Sequence, residues 1–145
     1  YKRQVEVTQK RHTHYGRVVL TPHMGEFLRI AKINELDDTN KILLNFCSSN
    51  HVITVLKGPV TRVCDGESVL YNTQGGPVLS RGGSGDILAG LIGAMMAQNN
   101  TCISTAIARG LILHGLAAQE LAREKGQIAV HTTQVLDYLP RVLRS

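Results

Sequence analysis

Aromatic residues are scarce in this 145-residue chain: it has no tryptophan, two phenylalanines and four tyrosines, 4% in all. Its core must therefore be built from Leu, Ile, Val and Ala. Cysteines are also few. Cys47, Cys64 and Cys102 stand far apart with no C-x-x-C spacing, which excludes a disulfide-dense scaffold and a sequence-local zinc site. Each sits beside apolar residues and is expected to be a small buried hydrophobe. The odd count and the lack of a secretory leader predict a reduced, cytoplasmic chain. No apolar run approaches the ~20 residues that cross a bilayer, so no membrane partner is expected. Both G-x-x-x-x-G-K-[ST] and G-x-G-x-x-G are missing, which sets aside the P-loop and dinucleotide-fold templates. His12, His51 and His131 have no metal-ligand spacing, and no metal site made by the protein alone is expected.

What remains is an ordinary globular composition, 43% apolar and 19% charged, long enough for one domain with a hydrophobic core. The formal charge is +5. Much of the excess lies at the ends, in Lys2, Arg3, Lys10, Arg11, Arg141 and Arg144, where it serves solubility. A nucleic-acid partner is not expected, although a basic balance keeps that reading as a third alternative. The fourteen glycines exceed the usual ~7%, and several of them cluster.

Along the chain, Tyr1 to Tyr15 is polar and Thr13–Gly16 is loop-like. Arg17–Leu20 reads as a short strand stopped by Thr21-Pro22. Gly25–Ile33 is a predicted helix with Phe27, Leu28 and Ile30 on its apolar face. Asp37-Asp38-Thr39 can cap a second helix through about Phe46. His51–Leu56 reads as a buried strand ending at Lys57-Gly58-Pro59. Thr61–Cys64 and Ser68–Tyr71 flank Asp65-Gly66-Glu67 as a hairpin. After a punctuated stretch, a helix is predicted over Asp86–Gln98. It is apolar nearly all round, with Ala89, Gly90, Gly93, Ala94 and Ala97 as a small-residue stripe for close backbone approach. A longer helix follows from Ser104 to about Lys125, ending near Gly126. A last one, capped by Thr132 or Thr133, is expected to stop at Pro140. The pattern indicates a layered α/β domain.

Chemistry concentrates at Ser80-Arg81-Gly82-Gly83-Ser84-Gly85-Asp86. Glycines let backbone N–H groups crowd round an anion, and a helix starting there directs its positive dipole end at the same spot. Ser84 adds a hydroxyl. Asp86 would lie beside a bound phosphate, where a carboxylate can take a proton from a substrate hydroxyl. The same residues also make an ordinary turn with an Asp cap.

Leu20-Thr21-Pro22-His23-Met24-Gly25-Glu26, Leu56-Lys57-Gly58, Gly75-Gly76-Pro77 and Gly82–Gly90 together resemble the ADP- or ATP-dependent NAD(P)H-hydrate dehydratases of the ribokinase-like superfamily. So do Leu111–Ala117 and Thr133–Pro140. The resemblance implies a three-layer α/β/α fold. It also implies a lyase that dehydrates (6S)-NAD(P)H hydrate to NAD(P)H at the expense of ADP or ATP, with Mg2+ on the phosphates. Under it, Asp86 is the base and contacts the hydrate, and Gly82, Gly83, Ser84 and Gly85 form the anion hole. Lys57, Gly58, Pro59, Val60, Thr61 and Gly85 meet the nucleotide, and His23 meets the hydrate. Glu26 is read as a helix cap and His114 as a packed histidine.

Three positions depart from the family pattern: Met24 replaces a proline, Gly76 an asparagine, and Arg81 a small residue. Arg81 could either bind phosphate or crowd the hole. The family domain is much longer, so residues 1–145 are expected to be the C-terminal portion of one domain whose N-terminal half is absent. The chain opens on Tyr1, as a fragment or processed product would. A homo-oligomer or a separate N-terminal lobe is expected to complete it, and the isolated chain is expected to turn over little or no hydrate. Rival readings are another ribokinase-like small-molecule kinase and a non-catalytic adenine-nucleotide-binding module.

Overall fold

The computed structural model describes residues 18–34, 38–98 and 102–144. The expectations for the Tyr1–Gly16 segment, Arg17, Asp37 and the N-terminal basic residues lie outside them. The chain divides between Thr73 and Gln74 into two compact units.

Among the described residues, the first unit is a four-stranded mixed sheet with two helices. Strand β1 (Val19–Leu20) leads into helix α1 (Met24–Ala31), then α2 (Thr39–Asn50), β2 (Ile53–Leu56), β3 (Thr61–Cys64) and β4 (Val69–Asn72). The sheet order is β1-β2-β3-β4. β1 and β2 are parallel, as their helical crossover requires, whereas β2–β3 and β3–β4 are antiparallel. All four residues of β2 are buried, as the branched run Ile53–Leu56 predicts.

Helix α1 is offset from the predicted span and ends where Lys32 adopts the left-handed conformation at φ 57°. Of Phe27, Leu28 and Ile30, only Phe27 is fully buried. The packed stripe is Met24, Phe27 and Ala31, the i, i+3, i+7 set of a helix seated on one face. Asp38 caps α2, its Oδ1 accepting from the N–H groups of Asn40 and Lys41, both at 3.1 Å. α2 runs four residues beyond Phe46, because exposed Ser48 and Ser49 continue its solvent side. His51 is therefore not a strand residue: it ends the helix in the left-handed region at φ 53°. The hairpin turn is held by the Asp65 carboxylate, which accepts from the N–H of Glu67 at 2.9 Å and of Ser68 at 2.8 Å. Gly66 supplies φ 97°. Ser68 belongs to that turn, so pairing starts at Val69.

The second unit is helical. A 3-10 turn (Pro77–Leu79) precedes α3 (Ser84–Met96) and α4 (Ile103–Lys125); a second 3-10 turn (Thr132–Gln134) runs into α5 (Val135–Val142). α4 packs against both α3 and α5, over a core of Val78, Ala117, Ala118, Leu121, Val130, Val135 and Tyr138. Gly126, at φ 80°, ends α4 as expected.

The small-residue stripe of α3 is not the close-packing surface. Ser84, Leu88 and Ile92, spaced i, i+4, i+8, are buried, whereas Ala89, Gly90, Gly93, Ala94 and Ala97 are exposed. A Cβ on Gly90 or Gly93 would meet nothing within 4 Å. The close approach comes from α4, where a Cβ on Gly110 would lie 2.8 Å from Ile92 Cγ1.

The last helix also differs from expectation. Thr132 and Thr133 form a separate turn, and α5 passes through Pro140 to Val142. Pro140 has no N–H for the Leu136 carbonyl, and Leu136 is 45% exposed, where water can serve that carbonyl. Cys47 and Cys64 are buried, but Cys102 is exposed at the start of α4. Among the described residues, no helix is long and apolar enough to cross a membrane.

Candidate functional site

Two clusters hold the residues picked out from the sequence, one in each unit. In the second unit, α3 begins two residues earlier than predicted. Gly83 is its N-cap at φ 85°, a left-handed conformation suited to glycine. Ser84, Gly85 and Asp86 thus form its first turn. The N–H of Ser84 bonds to the Arg81 carbonyl at 3.3 Å, and those of Asp86 and Ile87 bond to the Gly83 carbonyl at 3.1 and 3.2 Å. Among the described residues, the N–H groups of Gly82, Gly83 and Gly85 make no hydrogen bond. Those of Gly83 and Gly85 are orphan donors of the helix start, where the dipole favours an anion, and that of Gly82 lies one residue before it. Gly82, Gly83 and Asp86 are exposed, so a phosphate and a carboxylate could meet there.

Three ties set this turn, and none was legible locally. Thr132 donates its hydroxyl to the Gly82 carbonyl at 3.0 Å. Arg81 Nη2 donates to the carbonyls of Gln127 and Ile128, both at 2.7 Å. One amino group of its guanidinium is thus bound to backbone carbonyls. Ser84 is 4% exposed, with Oγ 3.5 Å from Nε2 of His114, itself 4% exposed. Burial lowers the His114 pKa to about 4, so the ring is neutral at physiological pH. It is a packed histidine, as expected, and the Ser84 hydroxyl faces it. A signal for this pair existed in the sequence only as a histidine among Leu and Ala, without its partner thirty positions away.

In the first unit, His23 caps α1. Its Nδ1 accepts from the N–H of Glu26 at 3.2 Å, while Glu26 Oε2 accepts from the N–H of His23 at 2.8 Å. This reciprocal cap bears out the reading of Glu26. The same Oε2 lies 4.0 Å from Lys57 Nζ, and Glu26 Oε1 lies 3.6 Å from His23 Nε2. His23 and Lys57 form an isolated parallel bridge, and the Lys57 N–H bonds to the Pro22 carbonyl at 2.8 Å. The sheet thus brings His23, Glu26 and Lys57 together from two segments. His23 is 54% exposed and Lys57 half-buried. Gly58, Pro59 and Val60 are exposed between β2 and β3, and Thr61 opens β3 half-buried. Among the described residues, no group of three or more His, Cys, Asp or Glu could hold a metal ion.

A family model described as NAD(P)H-hydrate dehydratase matches residues 3–141. The chain belongs to the NAD(P)H-hydrate dehydratase family. It is 38% identical over 138 residues to the bifunctional NAD(P)H-hydrate repair enzyme Nnr of Moorella thermoacetica, covering 90% of this chain and 25% of that protein. The ADP/ATP-dependent NAD(P)H-hydrate dehydratase of Bacillus subtilis, co-crystallised with ATP/Mg2+, superposes with a TM-score of 0.79 at 30% identity. That match covers 88% of this chain and 47% of the other. A ribokinase-like superfamily protein of Enterococcus faecalis gives a TM-score of 0.82 at 27% identity, covering 99% and 49%. The fold of this NAD(P)H-hydrate dehydratase family member is therefore ribokinase-like, and the chain spans between a quarter and about half the length of these proteins.

Proposed function

We propose that residues 1–145 are the C-terminal portion of a single ribokinase-like domain that dehydrates (6S)-NAD(P)H hydrate at the expense of ADP or ATP, in the cytoplasm. The observation that carries this reading is the start of α3 in a chain of this family. Unengaged N–H groups of Gly82, Gly83 and Gly85 flank the exposed carboxylate of Asp86.

In this reading the N–H groups of Gly82, Gly83 and Gly85 cradle the phosphoryl group, Ser84 lies between them with its hydroxyl turned to His114, and Lys57, Gly58, Pro59, Val60 and Thr61 bind the nucleotide. His23 contacts the hydrate. Asp86 takes the proton from the hydrate hydroxyl as that oxygen accepts the phosphoryl group. Hydroxide leaves poorly, whereas phosphate leaves readily as the ring nitrogen lone pair moves in. Loss of a proton from the neighbouring carbon then restores the reduced ring. Asp86, exposed in the first turn of α3, is the carboxylate that could reach a Mg2+ ion resting on the nucleotide phosphates. When bound the ion neutralises phosphate charge.

The domain is completed by a further lobe or a second copy. The test supplies NADPH hydrate, ADP and Mg2+ and follows inorganic phosphate together with reduced-nicotinamide absorbance. The chain alone is expected to bind ADP and turn over little or no hydrate. Addition in trans of the segment its longer relatives carry restores turnover, and Asp86→Asn abolishes that turnover while nucleotide binding persists. Absence of ADP binding sinks the reading, and phosphate retained on the organic product makes the protein a small-molecule kinase instead.

A further inference from the structure

His114 and Ser84 are both buried polar residues of the second unit, and they face each other from α4 and α3 across 3.5 Å. A buried hydroxyl and a buried imidazole nitrogen each lose water on folding, at about 1–3 kcal/mol if left unpaired. At 3.5 Å the two are at the long limit of a hydrogen bond, with the ring tautomer setting which atom donates. Ser84 is the first residue of α3 and lies between Gly83 and Gly85, whose N–H groups are unengaged. The other side of the turn is held independently, by Thr132 on the Gly82 carbonyl and by Arg81 on residues 127 and 128. The inner side has no tie of comparable kind among the described residues except His114.

We propose that His114 is a positioning residue for the glycine turn: through the Ser84 hydroxyl it fixes the first turn of α3, and with it the direction of the Gly83 and Gly85 N–H groups. The role goes beyond packing and rests on the reading of this turn as an anion site. A buried histidine that stays neutral, as burial keeps this one down to about pH 4, supplies direction without charge. Direction is what a turn made of three glycines and a serine lacks, since glycine restrains its own backbone least.

The test uses the 145-residue chain with Ser84→Ala, His114→Phe, the double variant and His114→Gln, which returns an amide to the ring-nitrogen position. The first readout is the amide NMR signals of Gly83 and Gly85, without ligand. Ser84→Ala and His114→Phe are expected to displace both signals in the same direction, and His114→Gln to return them toward their original positions. The second readout is ADP affinity in Mg2+, expected to fall about five- to tenfold in either single variant, with no further fall in the double. Gly83 and Gly85 signals unmoved by Ser84→Ala, or losses that simply add in the double variant, overturn the proposal. Should His114→Phe not fold, the Ser84→Ala signals decide alone. A wild-type chain that binds no ADP sinks the anion-site reading, while the glycine signals still decide whether His114 positions the turn.

Discussion

The hydroxyl of Thr132 donates to the carbonyl of Gly82 at 3.0 Å, joining residues fifty apart in sequence. It ties the turn before α3 to the turn before α5, so a contact from a separate segment and the left-handed Gly83 together set the shape of the glycine loop. Thr132→Val keeps the methyl group near Gly83 and removes only the hydrogen bond. We expect it to lower thermal stability modestly, by about 1 kcal/mol, and to speed hydrogen exchange at Gly82–Gly85. Serine at the same position should restore both, as amide exchange would show.

Gly83→Ala tests the turn from the other direction. Its φ of 85° disfavours any Cβ, at about 1–2 kcal/mol, although nearby space is open: the nearest neighbour of a Cβ there is the Thr132 methyl, at 4.0 Å. Gly110→Ala has the opposite problem, an ordinary helical position whose Cβ meets Ile92 Cγ1 at 2.8 Å. Chemical denaturation should rank Gly110→Ala as at least as damaging, by about 1–3 kcal/mol. Near-neutral behaviour would mean that α3 and α4 are further apart.

His114 predicts an acid-side loss of stability. Its folded pKa, about 4, lies below the ordinary 6.5, so between those values the unfolded chain binds the extra proton. The contribution of the neutral ring is complete above about pH 6.5 and is lost as the pH falls toward 4, amounting to at most about 3 kcal/mol. Denaturation midpoints of His114→Gln should show a shallower slope across that window than those of the natural chain.

The three thiols should separate by reactivity. Cys102 is exposed, and its hydrogen bond with Ser104 lowers its pKa. Cys47 is buried against Thr54, and burial pushes its thiol up to about 12. An alkylating reagent at neutral pH is expected to modify Cys102 rapidly, and Cys47 and Cys64 only when the first unit unfolds, as peptide mass analysis would resolve. Rapid labelling of Cys47 in the folded chain would contradict its burial.

What the sequence determined by itself is local. Asp38 as a cap, Asp65-Gly66 as a turn, the buried run of β2, the end of α4 at Gly126 and the glycine-rich entry to α3 each follow from hydrogen-bond and backbone preferences within a few adjacent residues. The motifs spread from Leu20 to Pro140 carried the family as well, because their order and spacing survive in one dimension. Only the tertiary structure decided which stripe of α3 is buried, that Arg81 holds backbone carbonyls, that Ser84 turns toward His114, and that Cys102 lies in the open. Those outcomes depend on groups from separate segments meeting in space. Burial is set by the partner that arrives, and a helix apolar all round does not say which of its sides that partner will take.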